Sequence, residues 1–406
     1  MRRHRKSWIA ACVLVVSLAT AGAAPARTHA HKHHAPKPQR VPLGYFGAIL
    51  DGPMFPPAPG VNLAQQLDVM ERSGVESIRV QIDWASIQPF QSWSDVPPDQ
   101  RGDLTNVDGL PLRLASIDQL ATLCAQRGLS LRPNVSDAPV WDTDSPPGVA
   151  ARTPRSYAPY GAFLKALIDR YGPHGSLWNG HVPKLPIRSW EVWNEPNIAG
   201  YWSVQPNFEP SYVALLRVAH DAIKSADPGA TVILAGMVNH SWDYIARIYR
   251  IPGARRLFDV VAVHPYTHYP AGVLTILGYV RHAMDAAGDR RKPMVADELG
   301  WNSSLGKSPD HFGVEVTEAV QARDVATVLP MLARQRTRLR LMGLDYYTWA
   351  GLEDPGGPEF DFGGLFRFSG GSFIAKPVFG VYRRNALAQE RCRQKGSVAF
   401  RCRRPF

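Results

Sequence analysis

Ser189-Trp190-Glu191-Val192-Trp193-Asn194-Glu195-Pro196-Asn197 reads as a buried β-strand that ends on a carboxylate and turns at a proline. Met294-Val295-Ala296-Asp297-Glu298-Leu299-Gly300-Trp301 repeats the plan, with an apolar run, a carboxylate at its end and then a glycine. Neither strand alternates cleanly between apolar and polar residues. Near-continuous apolar runs mark strands covered on both faces, as in a parallel sheet flanked by helices.

Working outward from these two, six further stretches have the same character: 43–51, 77–84, 129–134, 231–237, 259–264 and 341–349. Together with 187–193 and 294–298 they make eight strands. Helical periodicity falls between them over 62–72, 116–127, 157–171, 210–225, 273–287 and 319–336, and 376–390 supplies a closing helix. Alternation of this kind implies a parallel sheet, and eight strands is the number that closes a barrel. The expected fold is α/β, a single (β/α)8 TIM barrel over 43–390. An open doubly wound sheet is disfavoured, because no Gly-x-Gly-x-x-Gly follows the first strand.

The ends of the chain differ from this body. Met1–Lys6 is basic, Trp8–Gly22 is apolar, and small residues lead to Ala26, which is the pattern of a secretory signal peptide over 1–26. An uncleaved anchor is the alternative. Residues 27–42 are rich in His, Pro and Lys and read as a linker. Its four histidines between His29 and His34 could hold a metal ion weakly, but a linker supplies no preorganised groups to orient them, and the solvated reading is favoured. Cys392 and Cys402 in the basic tail 391–406 suit a disulfide in an exported protein, whereas Cys124 lies on an apolar helix pattern and reads as a buried thiol. No later segment is long and apolar enough to span a membrane.

The formal charge of +11 is carried by the ends. Residues 1–40 hold eight Lys/Arg and no acid, and residues 383–406 hold eight Lys/Arg and one Glu, so the body between them is net −4. That argues against a nucleic-acid-binding domain, whose basic patch should lie on the folded surface. The tails either lie solvated or make a weak contact with an anionic cell wall.

In a β/α barrel, chemistry collects where strands end. The strand ends here are Asp51, Arg79 and Trp84, Asn134, Asn194 and Glu195, Asn239, His264 and Tyr266, Glu298 and Trp301, then Trp349. Two carboxylates delivered from different strand ends are what glycosidic bond cleavage needs. By strand parity Glu191 also points inward, as a buried carboxylate for an arginine, while Asp297 should face the helices. Trp84, Trp141, Trp202 and Trp301 read as sugar platforms or as core, with two of the four expected to be platforms.

Trp-Asn-Glu-Pro-Asn at 193–197, His-Pro-Tyr at 264–266 and Asp-Glu-Leu-Gly-Trp at 297–301 resemble the retaining glycoside hydrolases of clan A. Trp193–Trp202 is similar to glycoside hydrolase family 39 and its relatives, without room for an accessory β-sandwich. The resemblance implies that Glu195 is the general acid/base and Glu298 the nucleophile. Arg79 and Tyr266 would steady the nucleophile, and Asn194 would bond the sugar 2-hydroxyl. His264 would bind a hydroxyl or orient a neighbour, Asn134 would line the site or steady a turn, Trp349 would form the floor of the sugar subsite, and Trp301 is a further substrate-binding candidate. The expected activity is retaining hydrolysis of a β-linked poly- or oligosaccharide by a secreted, extracellular or cell-wall-associated enzyme, with no metal or cofactor. The alternative is an inactive barrel that binds a glycan or the cell wall. His-Glu-x-x-His and Gly-x-Ser-x-Gly are absent from the sequence, which counts against a zincin or an esterase.

Overall fold

The computed structural model describes residues 41–146, 152–180 and 183–389. The signal segment, most of the linker and the cysteine-bearing tail lie outside the described residues. Strands β1 Phe46–Leu50, β2 Ser77–Asp83, β3 Ser130–Ser136 and β4 Ser189–Val192 form the first half of the sheet. The second half is β5 Thr231–Leu234, β6 Val260–Ala262, β7 Met294–Leu299 and β8 Leu341–Tyr346. Each pairs in parallel with its neighbour in sequence, and β8 pairs with β1, so the chain forms a closed eight-stranded (β/α)8 barrel.

The first four helices around it are α1 Leu63–Arg72, α2 Ala115–Arg127, α3 Ala158–Tyr171 and α4 Glu209–Ala226. Then follow α5 Ser241–Arg250, α6 Pro270–Ala286, α7 Glu318–Leu339 and α8 Pro377–Gln389. Their ends follow local chemistry. The Asn62 side chain accepts the Gln65 N–H at the start of α1, and Thr317 does the same for Val320 in α7. Gly128, at φ 63°, closes α2 in the left-handed conformation. The two ends of the barrel meet where the Val41 N–H donates to the Gln389 carbonyl at 2.8 Å.

Besides single helical turns such as Trp84–Ile87, three larger elements lack a counterpart in the sequence pattern. These are α5, the hairpin of Thr105–Val107 with Leu110–Leu112, and a small sheet of Ala350–Gly351, Phe366–Ser369 and Ser372–Ala375. The last two are loop decorations at the ends of β2 and β8.

Strand parity divides the core. Val232, Leu234, Val261, Val263, Met294 and Ala296 join the large apolar layer between sheet and helices. Ile233, Val260, Ala262 and Val295 form a separate apolar cluster that plugs one side of the barrel interior. The other side is polar and layered along each strand. Ser77, Arg79 and Gln81 of β2 rise from the closed end to the mouth, with Arg132 and Asn134 beside them on β3. At the closed end, Arg132 Nη2 donates to Asp345 Oδ2 at 2.6 Å, and Ser77 Oγ to the Gly44 carbonyl. Gly47 leaves that ion pair its space, since a Cβ there would meet Asp345 Oδ1 at 1.8 Å.

A break in the β7–β8 register matters most for the site. Leu344 is opposite Ala296 while Tyr346 is opposite Leu299, so three residues of β7 face two of β8. This β-bulge spends its extra residue at Asp297–Glu298 and turns both side chains inward. Alternation from Val295 inside and Ala296 outside turns Asp297 inward, within 3.3 Å of Arg79, and the extra residue brings Glu298 inward beside it, so parity counted back from Glu298 wrongly sends Asp297 to the helices.

Candidate active site

At the mouth formed by the strand ends lies a cavity of about 180 Å3, lined among others by Asp51, Arg79, Gln81, Asn134, Asn194, Glu195, Tyr201, Tyr266, Glu298, Tyr347 and Phe360. Arg79 organises it from β2. Its Nε and Nη2 donate to the two oxygens of Glu191 at 2.7 and 3.1 Å, a bidentate pairing. Nη1 reaches Glu298 Oε1 at 2.7 Å, and Nη2 also reaches Asn194 Oδ1 at 2.8 Å. Glu298 takes a second bond from the Tyr266 hydroxyl, at 2.9 Å to Oε2. These bonds fix the rotamer of Glu298 while leaving it on the cavity wall.

Glu195 is presented differently. The chain after β4 passes through left-handed backbone at Trp193, φ 75°, and again at Glu195, φ 40°. Such conformations cost roughly 1–3 kcal/mol at a non-glycine residue and survive only where packing over-determines them. Here the Trp193 indole N–H donates to the Tyr201 carbonyl at 2.8 Å, and its ring packs edge-on against Trp202. The Glu195 N–H is held by the Gly236 carbonyl at 3.1 Å. His264 Nδ1 lies 2.6 Å from Glu195 Oε1 and 3.5 Å from Glu298 Oε2. One imidazole thus stands behind both carboxylates.

Glu191, Glu195, Asp297 and Glu298 face two cations, Arg79 and His264, in a buried cluster. The excess of acid keeps protons in the cluster at neutral pH. Burial, helped by Asp297, pushes Glu191 up to about 7 against the pull of Arg79 and His264. Burial also raises Glu298, opposed by His264 and Arg79 and reinforced by Glu195. For Asp297 burial acts upward too, but His264 and Arg79 outweigh it and hold the group below its ordinary value. Burial works against a charged His264, yet Glu298 and Asp297 overcome it and keep the imidazolium well above the usual histidine range. Glu191/His264/Asp297 and Glu195/His264/Glu298 each bring three donor atoms within 4.8 Å of one another. A cation there would compete with the Arg79 guanidinium and the His264 charge.

The structure gathers Arg79, Asn134, Asn194, Glu195, Tyr266 and Glu298 on one cavity, as the sequence suggests. His264 is 1 % exposed and sits behind the carboxylates, so it orients a neighbour and meets no ligand directly. Asn134 is buried on β3 beside the cavity, and its Oδ1 has no hydrogen-bond partner among the described residues. The tryptophans require correction. Trp301 and Trp349 are fully buried. The Trp301 indole donates to the Thr267 carbonyl, and that of Trp349 donates to Gln66 Oε1 while its ring packs on Phe366. Trp84 and Trp202 are fully buried too, and Trp141 turns its indole N–H to the Gln88 carbonyl. None of the four proposed platforms lines the cavity.

Tyr266, Tyr347 and Phe360 line it instead, with Phe360 edge-on to both tyrosines at 5.3 and 5.5 Å. Gln81, Tyr201, Tyr347 and Phe360 are lining residues that sequence reasoning did not select, and Asp51 was named there only as a strand end, without a role. Asp51 and Tyr347 were accessible to it as polar residues at strand ends. Phe360, in a long loop, carried no signal. A larger groove of about 500 Å3, lined by Trp242, Tyr249 and Tyr279, lies outside the barrel between α5 and α6 and has no carboxylate pair.

No protein-family model and no curated protein matches the chain. Solved structures do. A GH39 β-xylosidase from Caulobacter crescentus matches at 21 % identity and TM-score 0.57, over 87 % of this chain and 73 % of its own. A glucosidase from Croceicoccus marinus matches at 12 % identity and TM-score 0.60, over 86 % and 68 %. The exo-β-1,4-mannosidase Op5Man5 from Opitutaceae bacterium strain TAV5 matches at 15 % and 0.58, over 88 % of this chain and 62 % of that one. The barrel is thus similar in fold to solved glycoside hydrolases, a family 39 enzyme among them, as the three sequence motifs suggested.

Proposed function

We propose that the protein is a retaining glycoside hydrolase that cleaves a β-linked glycan outside the cell. The observation that carries this reading is the pairing of Glu195 and Glu298 across one cavity, with an oxygen of each within 4.8 Å of the other. Retaining enzymes hold their carboxyls about 5–5.5 Å apart, whereas inverting ones leave roughly 6.5–9.5 Å for a water.

The surroundings support distinct roles. Glu298, bonded by Arg79 and Tyr266, is held in one orientation for attack on the anomeric carbon. Glu195, at hydrogen-bond distance from a charged His264, shares the proton that the leaving oxygen requires. Once the glycosyl–enzyme ester has formed, the same pair takes a proton from the incoming water, which hydrolyses the ester and frees Glu298. Asn194, its oxygen committed to Arg79, has its amide nitrogen for a ring hydroxyl. The fold shared with glycosidases supports the assignment. The signal-like segment at the start of the sequence supports export.

The test is sugar release from a panel of β-glycans by wild type, Glu195→Gln and Glu298→Gln, with the anomer of the first product followed by NMR. Release that falls by about 10³-fold or more in both variants, with retained configuration, is the expected result. Inverted product would overturn the double displacement. Silence on every glycan from folded protein, with binding retained, would favour the glycan-binding alternative.

A further inference from the structure

The charges around the cavity bear on which sugar it takes, an inference that rests on the glycosidase reading above. The charged residues lining the cavity are Asp51, Glu195, Glu298 and Arg79. Every nitrogen of Arg79 is already committed, Nε and Nη2 to Glu191, Nη1 to Glu298 and Nη2 also to Asn194. Its charge is already shared among Glu191, Asp297 and Glu298, so among the described residues no unpaired lining cation faces a carboxylate of the substrate.

Asp51 ends β1 and is fixed from two sides. The Gly52 N–H donates to Oδ1 at 2.7 Å, and the Tyr347 hydroxyl, from the end of β8, donates to Oδ2 at 2.7 Å. A carboxylate has about four acceptor positions, so each oxygen keeps one for another donor. A rigid carboxylate with one open position per oxygen matches two neighbouring hydroxyls of a sugar ring, or an ammonium. It repels a carboxylate.

Carboxylates outnumber cations beyond the lining too. Burial raises Asp361, and the charges of Asp51 and Asp354 raise it further. Past the ends of β2 and β3, burial and Asp83 push Asp137 up to about 6, with Arg152 and a bond from Gln81 acting the other way. Asp361 feels Asp51 and Asp354, and Asp137 feels Asp83, so acidic neighbours surround the lining carboxylates with Arg152 as a counter-charge.

We propose that Asp51 is the specificity-determining residue of this cavity, accepting hydrogens from the hydroxyls or ammonium of the sugar unit at the reaction centre and refusing a unit that bears a carboxylate. The glycan is therefore neutral or amino-substituted where it is cut.

The experiment compares wild type and Asp51→Asn on oligosaccharides of β-1,4-glucan, β-1,4-mannan and β-1,4-xylan, on chitosan oligosaccharides, and on oligo-β-glucuronate. Wild type should turn over its best neutral or amino-substituted substrate at least ~100-fold more efficiently than the glucuronate. Asp51→Asn keeps an oxygen for the Gly52 N–H and an equally good turn-starting side chain, so the fold is expected to survive. It should raise KM on the best substrate by about 10-fold or more, with a smaller change in kcat, and narrow the discrimination against glucuronate. Tyr347→Phe, which frees Oδ2, should move both quantities in the same direction by less.

Wild-type cleavage of glucuronate oligomers within ~10-fold of the neutral ones overturns the proposal without any variant. So does an Asp51→Asn enzyme with unchanged KM and discrimination. If glucuronate cleavage is abolished by Glu298→Gln, the glycosidase reading stands and only this inference falls. Silence of folded wild type across the panel removes the reading itself, and this inference with it.

Discussion

His264 Nδ1 lies 2.6 Å from Glu195 Oε1, and the ring that makes this contact has no exposed side-chain area. That contact fixes the orientation of Glu195 and sets a buried positive charge beside it. The positive charge of His264 also lowers the pKa of Glu298, which burial raises. In His264→Gln that restraint is gone, Glu298 holds its proton to higher pH, and the acid limb of the kcat/KM profile should move up by about one unit or more. A fall in kcat of roughly 10²-fold is expected with it. Stability gives an independent check with a defined sign. His264 has a folded-state pKa well above 6.5, so its contribution is fully present below about 6.5 and is lost as pH rises through the folded value. The loss of stability in the variant should be greatest at acidic pH. An acid limb that stays in place would separate His264 from Glu298.

Arg79 carries a different burden. Its guanidinium neutralises Glu191 and Glu298 and lies 3.3 Å from Asp297, all buried. Removing one partner of a buried pair costs about 3–5 kcal/mol, and Arg79→Met should lose about that much at pH 8. Burial has already lifted Glu191 to about 7 with the arginine present. An acid whose folded pKa is raised binds more protons folded than unfolded, so its stability contribution falls as pH rises from its ordinary value through the folded one. Without Arg79 that window widens upward. Urea titrations at pH 5 and pH 8 should therefore show the smaller loss at pH 5. A loss that is equal at both pH values, or greater at pH 5, would sink this account.

The barrel was legible in the sequence because strands buried on both faces leave unbroken apolar runs, and all eight runs fall on barrel strands. Glu195 and Glu298 were legible as polar residues closing such runs. Asp297 was misplaced because counting parity assumes a period of two, and the bulge that adds a residue between Ala296 and Leu299 leaves no local mark. The tryptophans failed for a related reason. A position at a strand end fixes where Cα sits, but the indole of Trp349 turns to Gln66 and that of Trp301 to the loop at Thr267. α5 was missed although Ile245 and Ile248 bury one face of it at helical spacing.

The corrected tryptophan assignments make a testable contrast. Trp349→Phe should lower stability by about 1–3 kcal/mol through the lost Gln66 bond and the void left behind, with KM unchanged. Phe360→Ala removes a ring that lines the cavity and should raise KM by roughly 3–10-fold with a modest effect on melting. Calorimetry and steady-state kinetics on the two variants decide the matter. A rise in KM for Trp349→Phe at constant stability would restore it as a sugar platform.

Gly236 offers the sharpest steric test of how the site is held. It stands just beyond β5, where a Cβ would come within 2.0 Å of His264 Nε2 and 2.3 Å of its Cδ2. Its N–H donates to Glu191 Oε1 at 3.1 Å and its carbonyl accepts the Glu195 N–H, so the backbone has little room to retreat. The imidazole must yield, and with it the contact to Glu195. Gly236→Ala should therefore cost about 1–3 kcal/mol of stability, as overpacking does. It should also cost kcat by about 10-fold or more, since a misplaced proton-transfer group loses much of its effect. Gly278→Ala is the matched control. A Cβ there meets nothing within 4 Å on α6, and replacing glycine inside a helix should be neutral or stabilising by up to ~1 kcal/mol. Equal kinetics for the two alanine variants would show that His264 can shift without disturbing Glu195, and its role as the orienting group would have to be abandoned.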